Sequence, residues 1–464
     1  MSLISNNPSL VDINQFVSLD VKRVVLDCGT TFLEIFQAIE SEFKTCYLLE
    51  SAKGFESDSH FGYIGFDPDM IISARSDTLT FQTKTQKTQK TVDNPYRYLQ
   101  SIFPHNQIHI EFCGGLVGYM GTEAVNYVEP ALHLEESDDF ESFAFGLYTD
   151  GLILNKQTGV IEYFFRNENR LHIILDLLKK TPKDTMLQVQ ALGDSLSFEE
   201  HQRKVSEVLG EINRGNVFQC EVGFRSDYLV DGDTTKLYSA LIQNNPSPYM
   251  FYLKNGDEVV LGSSPEMLFK LRNGVMSTKP LAGTIRRGKD TKEDEILQKK
   301  LLCDPKERAE HRMLIDMHRN DIGKNAQVGT VVLTKEMEIV SLEHVHHLLS
   351  EIIGVIRDDR DMFDGLAGLF PGGVLNGAPK IEAIKIITRQ EERSRGVYGG
   401  AVGWFGFNGD CTFCIPIRSL FVKGKKSYIQ ACSGIVIDSD PVAEYEEVQK
   451  KLASLRDVLT KYII

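Results

Sequence analysis

The chain has 464 residues, with 51 Lys plus Arg against 65 Asp plus Glu, a net charge of −14 at pH 7. Apolar residues make up 42% and charged residues 25%, the balance of a globular chain too long for one ordinary hydrophobic core. The acidity disfavours nucleic acid as a partner, no run has the length of a transmembrane helix, and no secretion signal opens the chain. The expected location is therefore the cytoplasm, with the eight cysteines reduced.

The first 170 residues carry short β-type runs, Arg23–Asp27, Cys46–Glu50, Gly115–Gly118 and Phe143–Leu154, each bounded by turn residues. Thr83–Asp93 is polar and without pattern, and reads as a mobile surface loop. Lys179–Ser195 lacks periodicity and marks the best domain boundary. Ser197-Phe-Glu-Glu200 is a capping box; it opens a helix that buries Val205, Val208, Leu209 and Ile212 and stops at Gly215. Further β runs follow at Val217–Phe224, Met250–Leu253, Ala401–Phe407, Thr412–Phe421 and Tyr428–Ile437, with helices at Pro305–Asp321 and Pro379–Arg393. A last helix begins near Ser439 and Pro441 and buries Val448, Leu452, Leu455 and Leu459. Without strict βαβ alternation, these elements favour a largely antiparallel sheet system covered by helices over a Rossmann fold.

Chemistry-bearing residues are dispersed. Glu444 and Glu447 lie three apart on one face of the last helix, and Glu310-His311 sits in another helix. An acid-rich first turn serves the helix dipole, and two carboxylates also suit Mg²⁺; residue spacing does not choose between them. Glu266 follows a β run, and His344, His346 and His347 cannot all face one ion. Pro371–Lys380 is a Gly-rich turn able to present amides to an anion, without the P-loop pattern. Cys411-Thr-Phe-Cys414 lacks a second ligand pair and reads as strand.

Taken in order, Tyr47–Ser51, Asn245–Tyr252, Ser264–Glu266, Pro280–Gly288, Glu310–His311, Arg319–Asp321, Gly377–Lys380, Tyr398–Gly403, Ile417–Ser419 and Gln430–Ala431 resemble component I of anthranilate synthase, among the chorismate-utilising enzymes. The resemblance spans about Val21 to Leu459. It implies an α+β fold with a large, mostly antiparallel β-sandwich core and helices packed outside. It further implies an N-terminal region, 1–190, carrying part of a tryptophan site, and a chorismate-binding catalytic domain, 191–464. Mg²⁺ would be held by Glu310 and Glu447, with Glu444 behind them. Arg418 and Lys451 would meet substrate carboxylates, and backbone at Gly283–Thr284 and at Cys432, Ser433 and Gly434 would cradle the anion. Tyr398 would line the pocket, Glu266 would be the general acid, and His347 would orient or relay protons, with His344 and His346 structural. Ser51, Pro248, Tyr249 and Met250 match a feedback site for tryptophan.

Relatives that add water carry a Lys base where this chain has Gln219, so ammonia is the expected nucleophile. Relatives that make aminodeoxychorismate commonly carry a nucleophilic Lys where Ala282 stands. Two departures bear on the substrate: Val374 replaces a hydroxyl residue, and Cys432-Ser433 adds side chains where Gly-Ala is usual. The expected product is anthranilate. The alternatives are 2-amino-2-deoxyisochorismate, an aminodeoxychorismate synthase component I, or an inactive paralogue that binds tryptophan or a partner. No glutaminase segment is recognisable, so a separate glutamine amidotransferase subunit (component II) is the expected partner.

Overall fold

The computed structural model describes residue 13 and residues 20–52, 60–104, 111–180, 185–391 and 393–463. Two 12-stranded sheets, paired antiparallel throughout, make the body. The first runs from Lys22–Leu26 through Thr45–Glu50, Tyr249–Asn255, Glu258–Ser264, Ser419–Lys423 and Lys426–Ile435 to Gln219–Gly232 and Leu187–Asp194. The second runs from Leu281–Arg286 and Val345–Val355 through Met267–Arg272, Cys411–Cys414, Ala401–Gly406 and Gly115–Met120 to Lys87–Thr91. Each sheet draws strands from both sides of residue 190, so the sheets do not divide where the sequence texture changes.

The largest core lies between the sheets. Tyr47 of the first meets Tyr148 of the second edge-on at 4.7 Å, and on the other face of the second sheet Phe363 of helix Met362–Leu369 stacks on Phe405 at 4.1 Å. A second core seals the outer face of the first sheet, where helices Phe32–Glu42 and Pro441–Thr460 bury Phe36, Ile39, Val448, Leu452 and Leu455. A smaller one seats Leu301 and Ile315 against Leu348.

The Ser197 capping box is present, and Val205, Val208 and Ile212 are buried as the period requires, with Leu209 half-buried. The last helix is capped by Asp440, whose side chain accepts from the amides of Val442 and Ala443. Three expectations change. Residues 83–93 contain a strand, Lys87–Thr91, paired with Thr78–Gln82; it is a polar edge strand, whose lysines protect an open ladder. Helix Lys380–Gln390 is shorter than expected, and helix Pro305–Gly323 is longer by two residues. Two apolar runs that read as single strands are each two strands in different sheets. Phe143–Tyr148 and Asp150–Asn155 part at Thr149, and Cys411–Cys414 and Ser419–Lys423 part across Ile415–Arg418. A run buried on both faces looks continuous whether or not it changes sheets.

Because Phe405 is fully buried and stacks on Phe363 of helix Met362–Leu369, Phe405→Ala should cost about 3–5 kcal/mol. A matching fall in the denaturant midpoint at unchanged slope is the check.

Candidate active site

Two of the places where the chain passes from one sheet to the other are adjacent. Glu258–Ser264 passes to Met267–Arg272 through Pro265-Glu266, and Cys411–Cys414 passes to Ser419–Lys423 through Arg418. The two crossings are hydrogen-bonded to each other: Ile415 N donates to Glu266 O at 3.1 Å, and Ser263 N to Arg418 O at 3.2 Å. Arg418 has φ of 50°, a left-handed conformation costly for a long side chain and retained only where surroundings enforce it. Beyond its pairing with Ser419–Lys423, which ends at Ile429, the strand Lys426–Ile435 keeps only the Gln219–Gly232 ladder among the described residues. The opened edge is the site.

Glu266 is buried, and its Oε1 has no hydrogen-bond partner. Burial, then the charge of Glu221, pushes its carboxyl up to about 8 against the pull of Lys451 and Arg418. It is thus a neutral proton donor near pH 7. Arg418 has no carboxylate within ion-pair distance among the described residues; its one hydrogen bond goes to Asn245 Oδ1 at 3.4 Å. A half-buried guanidinium with its fork uncommitted suits an incoming carboxylate.

His347 stands on Val345–Val355, opposite a bulge at Gly283 in Leu281–Arg286. Its Nδ1 lies 2.8 Å from Gly283 O and 3.2 Å from Thr284 Oγ1. A carbonyl only accepts, so Nδ1 carries the proton and Nε2, buried without a partner, keeps its lone pair. Burial pushes the ring down to about 4, so it is neutral. Alternation along the strand turns His346 away, to Ser341 Oγ and Asp294 Oδ1, both at 2.8 Å. His344 binds Asn244 O at 3.1 Å. Both side chains are engaged in these contacts.

Lys451 Nζ lies 2.8 Å from Glu447 Oε1 and donates to Cys432 O at 2.9 Å. Desolvation opposes its charge, but Glu447 and Glu221 outweigh it and hold the ammonium protonated. Burial, then the charges of Glu307, Glu221 and Glu447, pushes Glu310 up to about 7. Helices Pro305–Gly323 and Pro441–Thr460 therefore bring carboxylates into one field, although among the described residues no three His, Cys, Asp or Glu side chains converge to enclose a metal.

Cys432 and Gly434 face the site with Glu221 and Gln219, because register pairs Gly434 with Glu221 and Cys432 with Gly223. Ser433, paired with Val222, belongs to the opposite face, and its side chain lies beside Glu444 of the last helix. Tyr398 is buried with its hydroxyl 3.1 Å from Cys432 Sγ, so the added thiol engages a group that would otherwise face the pocket. Arg395 supports both: it pairs with Glu391 at 2.7 Å and donates to Leu375 O at 2.6 Å, bracing the turn that carries Val374.

Residues 44–457 match the family model of the chorismate binding enzymes. The chain belongs to this family. It is 46% identical to anthranilate synthase component 1 of Leptospira biflexa, over 93% of this chain and 94% of that one. It is 39% identical to the same component of Methanothermobacter thermautotrophicus, over 90% of each. Among solved structures, anthranilate synthase component I from Streptococcus pneumoniae superposes with a TM-score of 0.77 at 28% identity, covering 86% of this chain and 92% of that one. The isochorismate synthase MenF of Escherichia coli, at 18% identity and TM-score 0.73 over 95% and 94%, shares the fold.

In this chorismate binding enzyme, two of the residues matched to tryptophan, Tyr249 and Met250, pair with Ser264 and Ser263 on the strand that leads into the seam. Pro248, Tyr249 and Met250 line a cavity of about 150 Å³ with Leu49, Glu50 and Trp404. Ser51 and Met250 border a second of about 320 Å³ with Lys156. Sequence reading missed Glu221, a buried carboxyl that influences Glu266, Glu310 and Lys451 together. The available signal was parity: two residues from Gln219 on a strand means the same face.

Gly434 lies under Gln219 and Glu221; a Cβ there would sit 2.5 Å from Gln219 Nε2 and 2.8 Å from Glu221 Oε1. Gly434→Ala should displace both and lower kcat/KM for chorismate roughly 100-fold, read as loss of chorismate absorbance, with the melting temperature following the fold separately.

Proposed function

We infer that this chain is the large subunit of an anthranilate synthase, converting chorismate and ammonia to anthranilate and pyruvate in tryptophan biosynthesis. The observation that carries the reading is the seam: a protonated, buried Glu266 facing an uncommitted Arg418, with Gln219 where a water-activating lysine would be needed. The names of relatives at 46% and 39% identity support the same chemistry.

Arg418 takes a carboxylate of the substrate as a bidentate guest, and Lys451 adds positive charge beside the Cys432 carbonyl. The donor set suits Mg²⁺: the charge of Glu447 raises the Glu310 carboxyl, and a hard divalent ion would take these two carboxylates beside water and substrate oxygens. When bound, Mg²⁺ supplies charge to offset the ring carboxylate. Glu266 then gives its proton to the departing C4 hydroxyl, which leaves as water. Neutral His347 offers Nε2 to hold or pass a proton near the ring as pyruvate is eliminated.

Ammonia enters free or from a glutamine amidotransferase subunit (component II), in a cytoplasmic hetero-oligomer; no described helix is long and apolar enough to cross a membrane. Tryptophan occupies the cavity bounded by Pro248, Tyr249 and Met250 beside Ser51 and lowers activity. The Tyr398–Cys432 contact favours one further possibility, release of 2-amino-2-deoxyisochorismate before aromatisation.

Purified protein with chorismate, ammonium and Mg²⁺ should produce the fluorescence and mass of anthranilate; no turnover of chorismate overturns the reading. Glu266→Gln should lower kcat by about 10²–10⁴. Since the acid must be protonated, kcat of the unaltered enzyme at saturating ammonium should be full below its value of about 8 and fall as pH rises through it. Chelation should abolish product formation, Mg²⁺ should restore it, and Glu447→Gln should raise the Mg²⁺ concentration required.

A further inference from the structure

Resting on the reading above, we propose that Glu221 and Gln219 form the binding site for the ammonium ion that supplies the nucleophile. Glu221 is 5% exposed and makes no ion pair within 4 Å among the described residues. Its hydrogen-bond neighbours are Gln219 Nε2 at 3.5 Å and the Cys432 thiol, and Lys451, which pairs directly with Glu447, is the nearby charge that most favours its ionised form. A buried carboxylate with no direct ion pair is costly unless a cation comes into contact or a proton stays. The second observation is Glu266, whose Oε1 is buried and unpartnered and whose charge state feels Glu221. The charge of Glu221 thus reaches Glu266, and the two carboxyls take different tasks, Glu266 donating a proton and Glu221 receiving the cation.

The surroundings select the cation. Gln219 turns its N–H toward Glu221, which leaves the amide carbonyl as an acceptor beside a carboxylate. A singly charged ion with four N–H donors uses both. A hard divalent ion gains nothing from a thiol and an amide N–H, and prefers the helix carboxylates Glu310 and Glu447. Phe218, one residue before Gln219, is 72% exposed, so this end of the strand stands between solvent and the buried site.

The step balances. Ammonium passes one proton to the Glu221 carboxylate, and the freed lone pair forms the N–C2 bond. The two ring double bonds shift, and the C4–O bond breaks as that oxygen takes the Glu266 proton and leaves as water. The new C–N ammonium returns a proton to Glu266, and Glu221 releases its proton to solvent.

The test uses the full chain with chorismate, Mg²⁺ and ammonium chloride. Glu221→Gln should raise KM for ammonium at least tenfold while KM for chorismate changes less than twofold, and Glu221→Asp should recover part of the loss. Rubidium, an ion of similar size that carries no proton, should compete with ammonium in the unaltered enzyme. An unchanged ammonium KM in a folded Glu221→Gln, or a shift in Mg²⁺ requirement instead, overturns the assignment. Should that variant not fold, rubidium decides: competition with ammonium sustains the site and its absence overturns it. Absence of any product from the unaltered enzyme is a different result and removes the functional reading itself.

Discussion

The pair of backbone crossings between the sheets is the constraint on which the site depends. Where Pro265-Glu266 and Ile415–Arg418 pass from one sheet to the other, ladder pairing must end, and the two segments satisfy each other through the Ile415–Glu266 and Ser263–Arg418 hydrogen bonds. That mutual pairing holds Arg418 at a positive φ and brings a neutral acid and a guanidinium cation to one place. It also ends the strand beside Lys426–Ile435, so among the described residues Cys432 and Gly434 have a ladder partner on one side alone. The Gly283 bulge and Lys451 then close the sides.

Much of this was legible beforehand because it is local. The Ser197 box, the stripe of Val448, Leu452 and Leu455, and the strand propensity around Gln219 follow from periodicity and capping. What stayed hidden is non-local. Thr412–Phe421 is apolar throughout, and nothing in its pattern says that the chain leaves one sheet at Cys414 and joins another at Ser419. Lys87–Thr91 is too polar to register as a strand, since only its edge position makes pairing useful. The roles of Glu266, His347 and Arg418 came through resemblance, and their burial and bonding came through coordinates. Glu221 was passed over because a lone Glu among apolar residues reads as exposed until its cross-strand partner is known.

The electrostatics resolve an oddity of composition. An acidic chain receiving an anion must reverse its potential locally. Here Lys451 and Arg418 carry that reversal at the seam, while Glu307, Glu310, Glu447 and Glu221 crowd together and make a further positive charge welcome. Burial moves Glu266 and His347 in opposite directions on the pH scale, and both end neutral. The site therefore reaches neutrality in its proton-handling groups and keeps its fixed charges for holding ligands.

The interleaving of the sheets bears on how the molecule is made. Thr45–Glu50 pairs with Tyr249–Asn255, and Glu258–Ser264 with Ser419–Lys423. A nascent chain cannot finish either sheet from its own first half, and strand edges emerging early from the ribosome must wait for partners synthesised hundreds of residues later. Such long-range pairing implies slow assembly and a period of exposure to misassociation, in which chaperone protection matters more than final stability. A truncated translation product would hold open ladders and no seam, so this architecture ties the appearance of chemistry to completion of synthesis.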